Sequence, residues 1–357
     1  MQTISSIGYK IYFGKTVYKE INAFLNKNKY SKYFVFCDEN SFEKCYSQLL
    51  ANCKKLQAAE IIEIDSGEAS KNIEICQHIW ETMLENNADR NTLVINLGGG
   101  VVSDLGGFVA SVYKRGIDFV NIPTTALSMA DASVGGKTGI DFANLKNVIG
   151  TITQPKAVFV NTDYLLSLPQ RHFMNGIAEI LKMALISDRV LWKKLRSDYE
   201  FKNISELLHK SVELKNKIVK RDPTEKNVRK ALNFGHTIGH AVESVLLNSD
   251  DELLHGEAVV VGMIAESFIS YKKKLISTNE LDEIVTCFKN CFTLSPLHPQ
   301  HFEAIDLLIL NDKKNSNGKT LFSLLNKIGG FKINQSVTPG IIKSSLEFYN
   351  SVIHGKS

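Results

Sequence analysis

Between about residues 9 and 160, short apolar, β-branched or aromatic runs alternate with amphipathic stretches, the order expected of βαβ units. The runs at 33–37, 61–64, 93–97, 119–122 and 158–160 are predicted strands. Residues 71–84 place Ile73, Cys76, Trp80, Met83 and Leu84 near one helical face, as a crossover helix lying on a sheet requires. Strands separated in this way pair in parallel. After Asp163 the apolar spacing changes to three and four, and helices are predicted over 176–186, 205–219, 236–246 and 257–271. Glycine, proline or Asp/Asn clusters separate them. The pattern predicts an α/β, Rossmann-like nucleotide-binding domain over 1–165 and an all-α domain over 166–357, with the active site in the cleft between them.

Composition narrows the class. A chain of 357 residues can bury two cores, and 44% hydrophobic with 22% charged residues excludes a disordered or fibrous protein. The net charge of +4 comes from lysines dispersed among acidic residues, so no nucleic-acid partner is expected. It is compatible with a small anionic substrate. The cysteines at 37, 45, 53, 76, 287 and 291 have no CxxC spacing and read as reduced thiols of a cytoplasmic protein. Residues 1–10 lack a basic segment followed by an apolar run, and no stretch approaches 18 apolar residues, so neither export nor a membrane span is expected.

Three groups of residues suggest chemistry. First, the 93–97 run leads into Gly98-Gly99-Gly100 and then Val101-Val102-Ser103-Asp104, a strand-turn-helix whose amides can face a phosphate. Ser103 stands where GxGxxG requires its last glycine, so the dinucleotide fingerprint is not met, and a tight turn without a ligand remains an equal reading. Second, Pro123-Thr124-Thr125-Ala126 and Val134-Gly135-Gly136-Lys137-Thr138-Gly139 supply hydroxyls, pliable backbone and a lysine in the manner of phosphate loops, without a Walker A match. Asp38 and Asn40 follow a strand, where an acid can accept from ribose hydroxyls. Third, His236 and His240 are four apart in a predicted helix, His255 precedes another, and Glu179 sits among apolar residues. Two histidines and a glutamate form a recurrent zinc set, although a hydrogen-bonded pair of histidines and an ion pair of Glu179 with Lys182 would explain the same residues.

Taken together, 98–108, 113–116, 122–141, 146–150, 176–182, 232–243 and 254–262 resemble 3-dehydroquinate synthase. The likeness rests on Gly-Gly-Gly-Val-Val-Ser-Asp, Pro-Thr-Thr, Ser-Val-Gly-Gly-Lys-Thr-Gly, Leu-Asn-Phe-Gly-His-Thr-Ile-Gly-His and Leu-His-Gly-Glu in this order. The resemblance implies a sugar phosphate cyclase that needs NAD, regenerated in each turnover, and one divalent metal, zinc or cobalt. It implies that Glu179, His236 and His255 ligate the metal and that His240 approaches the substrate. Asp38, Asn40, Glu68 and Lys71 would face the adenosine side of NAD, with Gly100, Val101, Val102, Ser103, Asp104, Thr124 and Thr125 nearer its phosphates. Asp131, Lys137, Lys146, Asn147, Lys182, Lys215, Arg229 and Asn233 would line the pocket of a phosphorylated small molecule. Lys137 and Lys146 also border the nucleotide, and Lys313 or Lys314 would close the pocket. Arg115 is similar to an arginine that reaches a neighbouring subunit's phosphate site, which implies a homodimer. Leu145 and Ser103 depart from glycines usual in the family, which puts the loop geometry around them in question.

Three other readings share part of this pattern. A 2-deoxy-scyllo-inosose synthase would need no partner for a substrate carboxylate, the part read for Arg229. A metal-dependent polyol dehydrogenase would have no use for so many lysines. A regulatory protein descended from the enzyme would have lost ligands or clamps, and none is lost here.

Overall fold

In the computed structural model, residues 2–143, 145–247, 249–310 and 320–354 are described. The chain divides into two compact units, Met1–Gly176 with Ile204–Asn216, and Ile177–Asn203 with Lys217–Ser357. The division falls inside the Gln170–Ser187 helix, eleven residues past the expected boundary, and the chain re-enters the first unit for most of the Ile204–Arg221 helix.

Among the described residues the first unit has nine strands: β1 (Ile4–Ser5), β2 (Lys10–Phe13), β3 (Lys32–Asp38), β4 (Glu60–Ile64), β5 (Thr92–Gly98), β6 (Asp118–Pro123), β7 (Lys137–Phe142), β8 (Leu145–Ile152) and β9 (Ala157–Val160). Seven form one sheet in the order β1-β2-β9-β6-β5-β3-β4, parallel throughout except for the two-residue β1. All five predicted strands are in it. β5 is buried along its whole length, as a strand between covered faces must be, and so its sequence is a continuous apolar run rather than an alternation. The Gly100–Val112 helix presses Val102, Leu105, Phe108 and Val109 onto Phe34, Phe36 and Val94.

β7 and β8 form a separate antiparallel ribbon that the hydrophobic pattern did not predict. Neither face of β8 is buried, so it shows no period of two: Leu145, Val148, Ile149 and Ile152 are all exposed.

The second unit is helical but not all-α. It includes a hairpin of β10 (Thr320–Lys327) and β11 (Gly330–Val337). Two register shifts break its alternation, between Phe322 and Leu324 and between Leu325 and Lys327. The apolar residues of β10 then fall as Leu321-Phe322 and Leu324-Leu325, a spacing of three that imitates a helix. The His255–Lys272 helix is buried from Ala258 to Ser270 and runs against the His236–Leu246 helix. Among the described residues, no helix is long and apolar enough to cross a membrane.

Candidate active site

β5 ends at Gly98, and Gly99 precedes the Gly100–Val112 helix without any side-chain cap or acidic residue in the first turn. The opening amides of that helix are therefore available to an anion, with the positive end of the helix dipole behind them. A Cβ at Gly98 would lie 2.5 Å from Val102 Cγ2, so this sharp a turn requires glycine. Thr124 N (2.9 Å) and Ser128 Oγ (3.3 Å) both donate to Gly98 O and tie the end of β6 to the turn, while Thr125 Oγ1 lies 3.0 Å from Ser128 Oγ. Ser103 Oγ donates back to Gly99 O (2.9 Å) and Gly100 O (3.1 Å). The serine that breaks the glycine fingerprint thus braces the turn from behind. Asp38, at the end of β3, accepts from Ser41 N and Ser41 Oγ at 2.7 Å each, and Asn40 beside it is exposed.

Lys71, only 3% exposed, gathers residues predicted for two different roles. Its Nζ lies 2.8 Å from Asp104 Oδ2, 2.7 Å from Asn147 Oδ1 and 3.5 Å from Glu68 Oε1. Burial opposes the ammonium, but Asp104, Glu68 and Asp141 together outweigh it and hold the lysine above its ordinary range. Burial likewise pushes the Asp104 carboxyl up, against the pull of Lys71. Asn147, in the left-handed region at φ +53°, donates its amide to Asp141 Oδ1 (2.7 Å), and Asp141 N donates to Lys71 O (2.8 Å). Burial raises the Asp141 carboxyl to about 6, with the Asn147 amide opposing and Glu68 adding to the rise.

Lys215, also buried, holds Asp131 through its main-chain oxygen (2.7 Å) and Oδ1 (2.8 Å). Lys137 is exposed at the start of β7, Lys146 is half-buried in β8, and Arg115 is exposed with φ +72°.

In the second unit, three helices bring four side chains together. Glu179 comes from the Gln170–Ser187 helix, His236 and His240 from one face of the His236–Leu246 helix, and His255 opens the next. One ring nitrogen from each of the three histidines lies within 4.8 Å of the others. Glu179 Oε1 is 3.5 Å from His236 Nε2 and 3.8 Å from His255 Nε2. The far side of each of these two imidazoles is engaged: His236 Nδ1 lies 3.2 Å from Phe234 O, and His255 Nδ1 lies 3.3 Å from Glu243 Oε2. Such contacts set Nδ1 as the donor and leave Nε2 as a ligand. Both Glu179 oxygens are buried without a well-formed hydrogen bond, and Lys182 Nζ contacts Oε2 as an ion pair. Burial disfavours the His255 imidazolium, but Glu243 and Glu179 together outweigh it, and the imidazole is raised to about 10. Buried carboxylate oxygens facing two imidazole Nε2 atoms fit a divalent cation.

Arg229 is 2% exposed, its Nη1 donating to Pro223 O (2.7 Å) and its amide to Asp222 Oδ2 (3.0 Å). Asn233 Nδ2 donates to Glu225 Oε1 (2.6 Å). Lys313 and Lys314 lie outside the described residues. Sequence reasoning missed Ser128, Asp141, Glu225 and Glu243. Only Glu243 carried a periodic signal, since it follows His236 and His240 at intervals of four and three along one helical face.

Comparison with known proteins gives this geometry a setting. The family profile "3-dehydroquinate synthase N-terminal" matches residues 61–175, and "3-dehydroquinate synthase C-terminal" matches 176–315. The 3-dehydroquinate synthase of Parabacteroides distasonis is 37% identical over 344 residues, covering 95% of this chain and 97% of that protein. The structure of 2-epi-5-epi-valiolone synthase from Streptomyces hygroscopicus subsp. jinggangensis, with NAD+ and Zn2+ bound, matches with a TM-score of 0.86 at 26% identity, covering 99% of each chain. That of 2-deoxy-scyllo-inosose synthase, complexed with carbaglucose-6-phosphate, NAD+ and Co2+, matches with a TM-score of 0.85 at 21% identity, covering 97% and 99%, and shares the fold. Two profiles in consecutive order and a relative matched nearly end to end establish that the chain belongs to the 3-dehydroquinate synthase family of enzymes.

Proposed function

We propose that the chain converts 3-deoxy-D-arabino-heptulosonate 7-phosphate into 3-dehydroquinate and inorganic phosphate, as a carbon–oxygen lyase that uses NAD catalytically and one zinc or cobalt ion. The observation that carries this reading is the convergence of Glu179, His236 and His255 in a chain matched along nearly its whole length by a 3-dehydroquinate synthase.

Glu179, His236 and His255 would hold the cation, and the uncapped start of the Gly100–Val112 helix would take the pyrophosphate of NAD. When bound, the nicotinamide accepts and returns a hydride, and the cation favours the alkoxide form of a substrate hydroxyl. The protein's own side chains bind and orient. Lys137, Lys146 and Arg229 supply positive charge for the phosphate and carboxylate of the substrate, fixing the leaving oxygens without acting as bases. Lys215 holds Asp131 from both its main-chain and side-chain oxygens, which presents that carboxylate in one orientation. His240 has a ring nitrogen within 4.8 Å of the other two imidazoles, where it can hand a proton to or from a substrate oxygen near the ligands. The final ring closure needs chiefly one conformer held in place.

A homodimer is part of the reading. Among the described residues β8 pairs only with β7, and it exposes Leu145, Val148, Ile149 and Ile152, an apolar strand of the kind a second copy covers. Thr151 Oγ1 of β8 donates to Ser111 Oγ (2.8 Å), so this edge adjoins the chain turn that carries the exposed Arg115. Six free thiols, five of them buried, suit the reducing cytoplasm.

Phosphate release from the heptulosonate phosphate with trace NAD tests the function. Many equivalents of phosphate per NAD are expected, abolished by a chelator and restored by zinc or cobalt. No release with both cofactors supplied overturns the reading, and stoichiometric accumulation of NADH would indicate a dehydrogenase instead.

A further inference from the structure

The helix that carries His236 and His240 starts without a cap of its own. Its N-cap is Gly235, at φ +79°, and its third residue is Ile238. Neither side chain can accept the amides that a capping box satisfies, those of the N-cap and the third residue. Both are nevertheless satisfied. Glu266 Oε2 accepts from Gly235 N at 2.7 Å and Glu266 Oε1 accepts from Ile238 N at 3.1 Å. One carboxylate from a neighbouring helix thus performs both halves of a capping box.

The packing explains why the cap comes from outside. A Cβ at Gly235 would lie 2.4 Å from Met263 Cγ, and a Cβ at Gly262 would lie 1.9 Å from Gly235 O. The two helices touch through backbone at this point, which leaves no room for a capping side chain at 235. Glu266 lies one turn beyond Gly262 in the same helix and is 0% exposed. A fully buried carboxylate is costly unless hydrogen-bonded. Here the two amides and the positive end of the helix dipole stabilise it.

His255 opens the helix that carries Glu266, and His236 opens the helix that Glu266 caps. We infer that Glu266 is a positioning residue for the metal: it locks the His236–Leu246 helix to the His255–Lys272 helix and so fixes the spacing of His236 and His255, whose rings lie 5.4 Å apart between centroids. The inference rests on the metal reading proposed above. Glutamine at this position keeps the shape but places an NH2 group against one of the two amide donors, so one arm of the lock is lost.

The test is zinc affinity of the full-length chain, measured by competition with a chromophoric chelator, for wild type, Glu266→Gln and Ile238→Val. Ile238→Val trims a buried side chain in the same turn and costs stability without touching the carboxylate bridge. Glu266→Gln is expected to weaken zinc binding about 10- to 100-fold, the range typical for groups that orient metal ligands, and to change the visible absorption of the cobalt form. Ile238→Val should leave zinc affinity within about twofold of wild type. Unchanged zinc affinity in Glu266→Gln, or an equal loss in Ile238→Val, overturns the inference. Should Glu266→Gln fail to fold, hydrogen exchange on the wild type decides: the Gly235 and Ile238 amides must exchange as slowly as core amides, and fast exchange refutes the lock. Failure of wild type to bind zinc would instead refute the metal reading itself.

Discussion

Lys71 shows how much one side chain can organise. Its ammonium is buried and satisfied by Asp104, Glu68 and Asn147 together. Lys71→Met retains the bulk but leaves Asp104 without its cation, and removing one partner of a buried pair costs about 3 kcal/mol. The sign of the pH dependence follows from Asp104. Its folded-state carboxyl is already raised above the unfolded value, so it contributes stability when protonated and loses it as pH rises through the folded value. Removing Lys71 raises it further. Urea denaturation should therefore show a stability gap between wild type and Lys71→Met that is widest near neutrality and narrows toward acid, and a gap that widens toward acid would contradict this account. Legibility at this scale was uneven. Glu179 stands out as an acid in an apolar helix, yet Glu266, within Met263-Ile264-Ala265-Glu266-Ser267-Phe268, carries the same signal. Local pattern marks a residue as buried and charged without identifying the partner.

At the scale of elements, β3, β5, β6 and β9 are readable because each is a largely buried apolar run, whereas the short parallel strand β2 gives no such signal. β8 and β10 were not, for opposite reasons: β8 buries no face, and β10 has its alternation interrupted by irregular pairing. Helix–helix packing also escaped the sequence, because it turns on glycines whose neighbours lie far along the chain. Gly262 and Gly340 illustrate the difference. A Cβ at Gly262 meets Gly235 O at 1.9 Å and Gly239 N at 2.7 Å, so Gly262→Ala must push the two histidine-bearing helices apart. A loss of about 1–3 kcal/mol is expected from such overpacking, with weaker zinc binding beside it. Gly340 sits in the first turn of the Pro339–Ile353 helix with nothing within 4 Å, and Gly340→Ala should stabilise by up to about 1 kcal/mol through helix propensity. Thermal melts of the two variants should move in opposite directions. A melt of Gly262→Ala equal to wild type would show that the helices do not depend on that approach.

For the whole molecule, the hydrophobic pattern gives two halves, but it cannot show that residues 204–216 return to the first unit, since a helix looks the same whichever core it joins. That return delivers Lys215 to Asp131. Whether a second copy is involved is one step further from the pattern, because a single sequence does not say what an exposed apolar strand and an exposed arginine meet. If Arg115 serves the phosphate site of a second copy, then a variant lacking Arg115 and one lacking a metal ligand each have no complete site alone, yet a mixed dimer has one. Its intact site takes ligands from the Arg115→Ala subunit and the arginine from the His236→Ala subunit. Refolding the two variants together in equal amounts puts half of the chains into mixed dimers with one working site in two, so about a quarter of wild-type phosphate release should return. An arginine acting within its own subunit gives no recovery at any mixing ratio, and that result would remove Arg115 from the subunit interface.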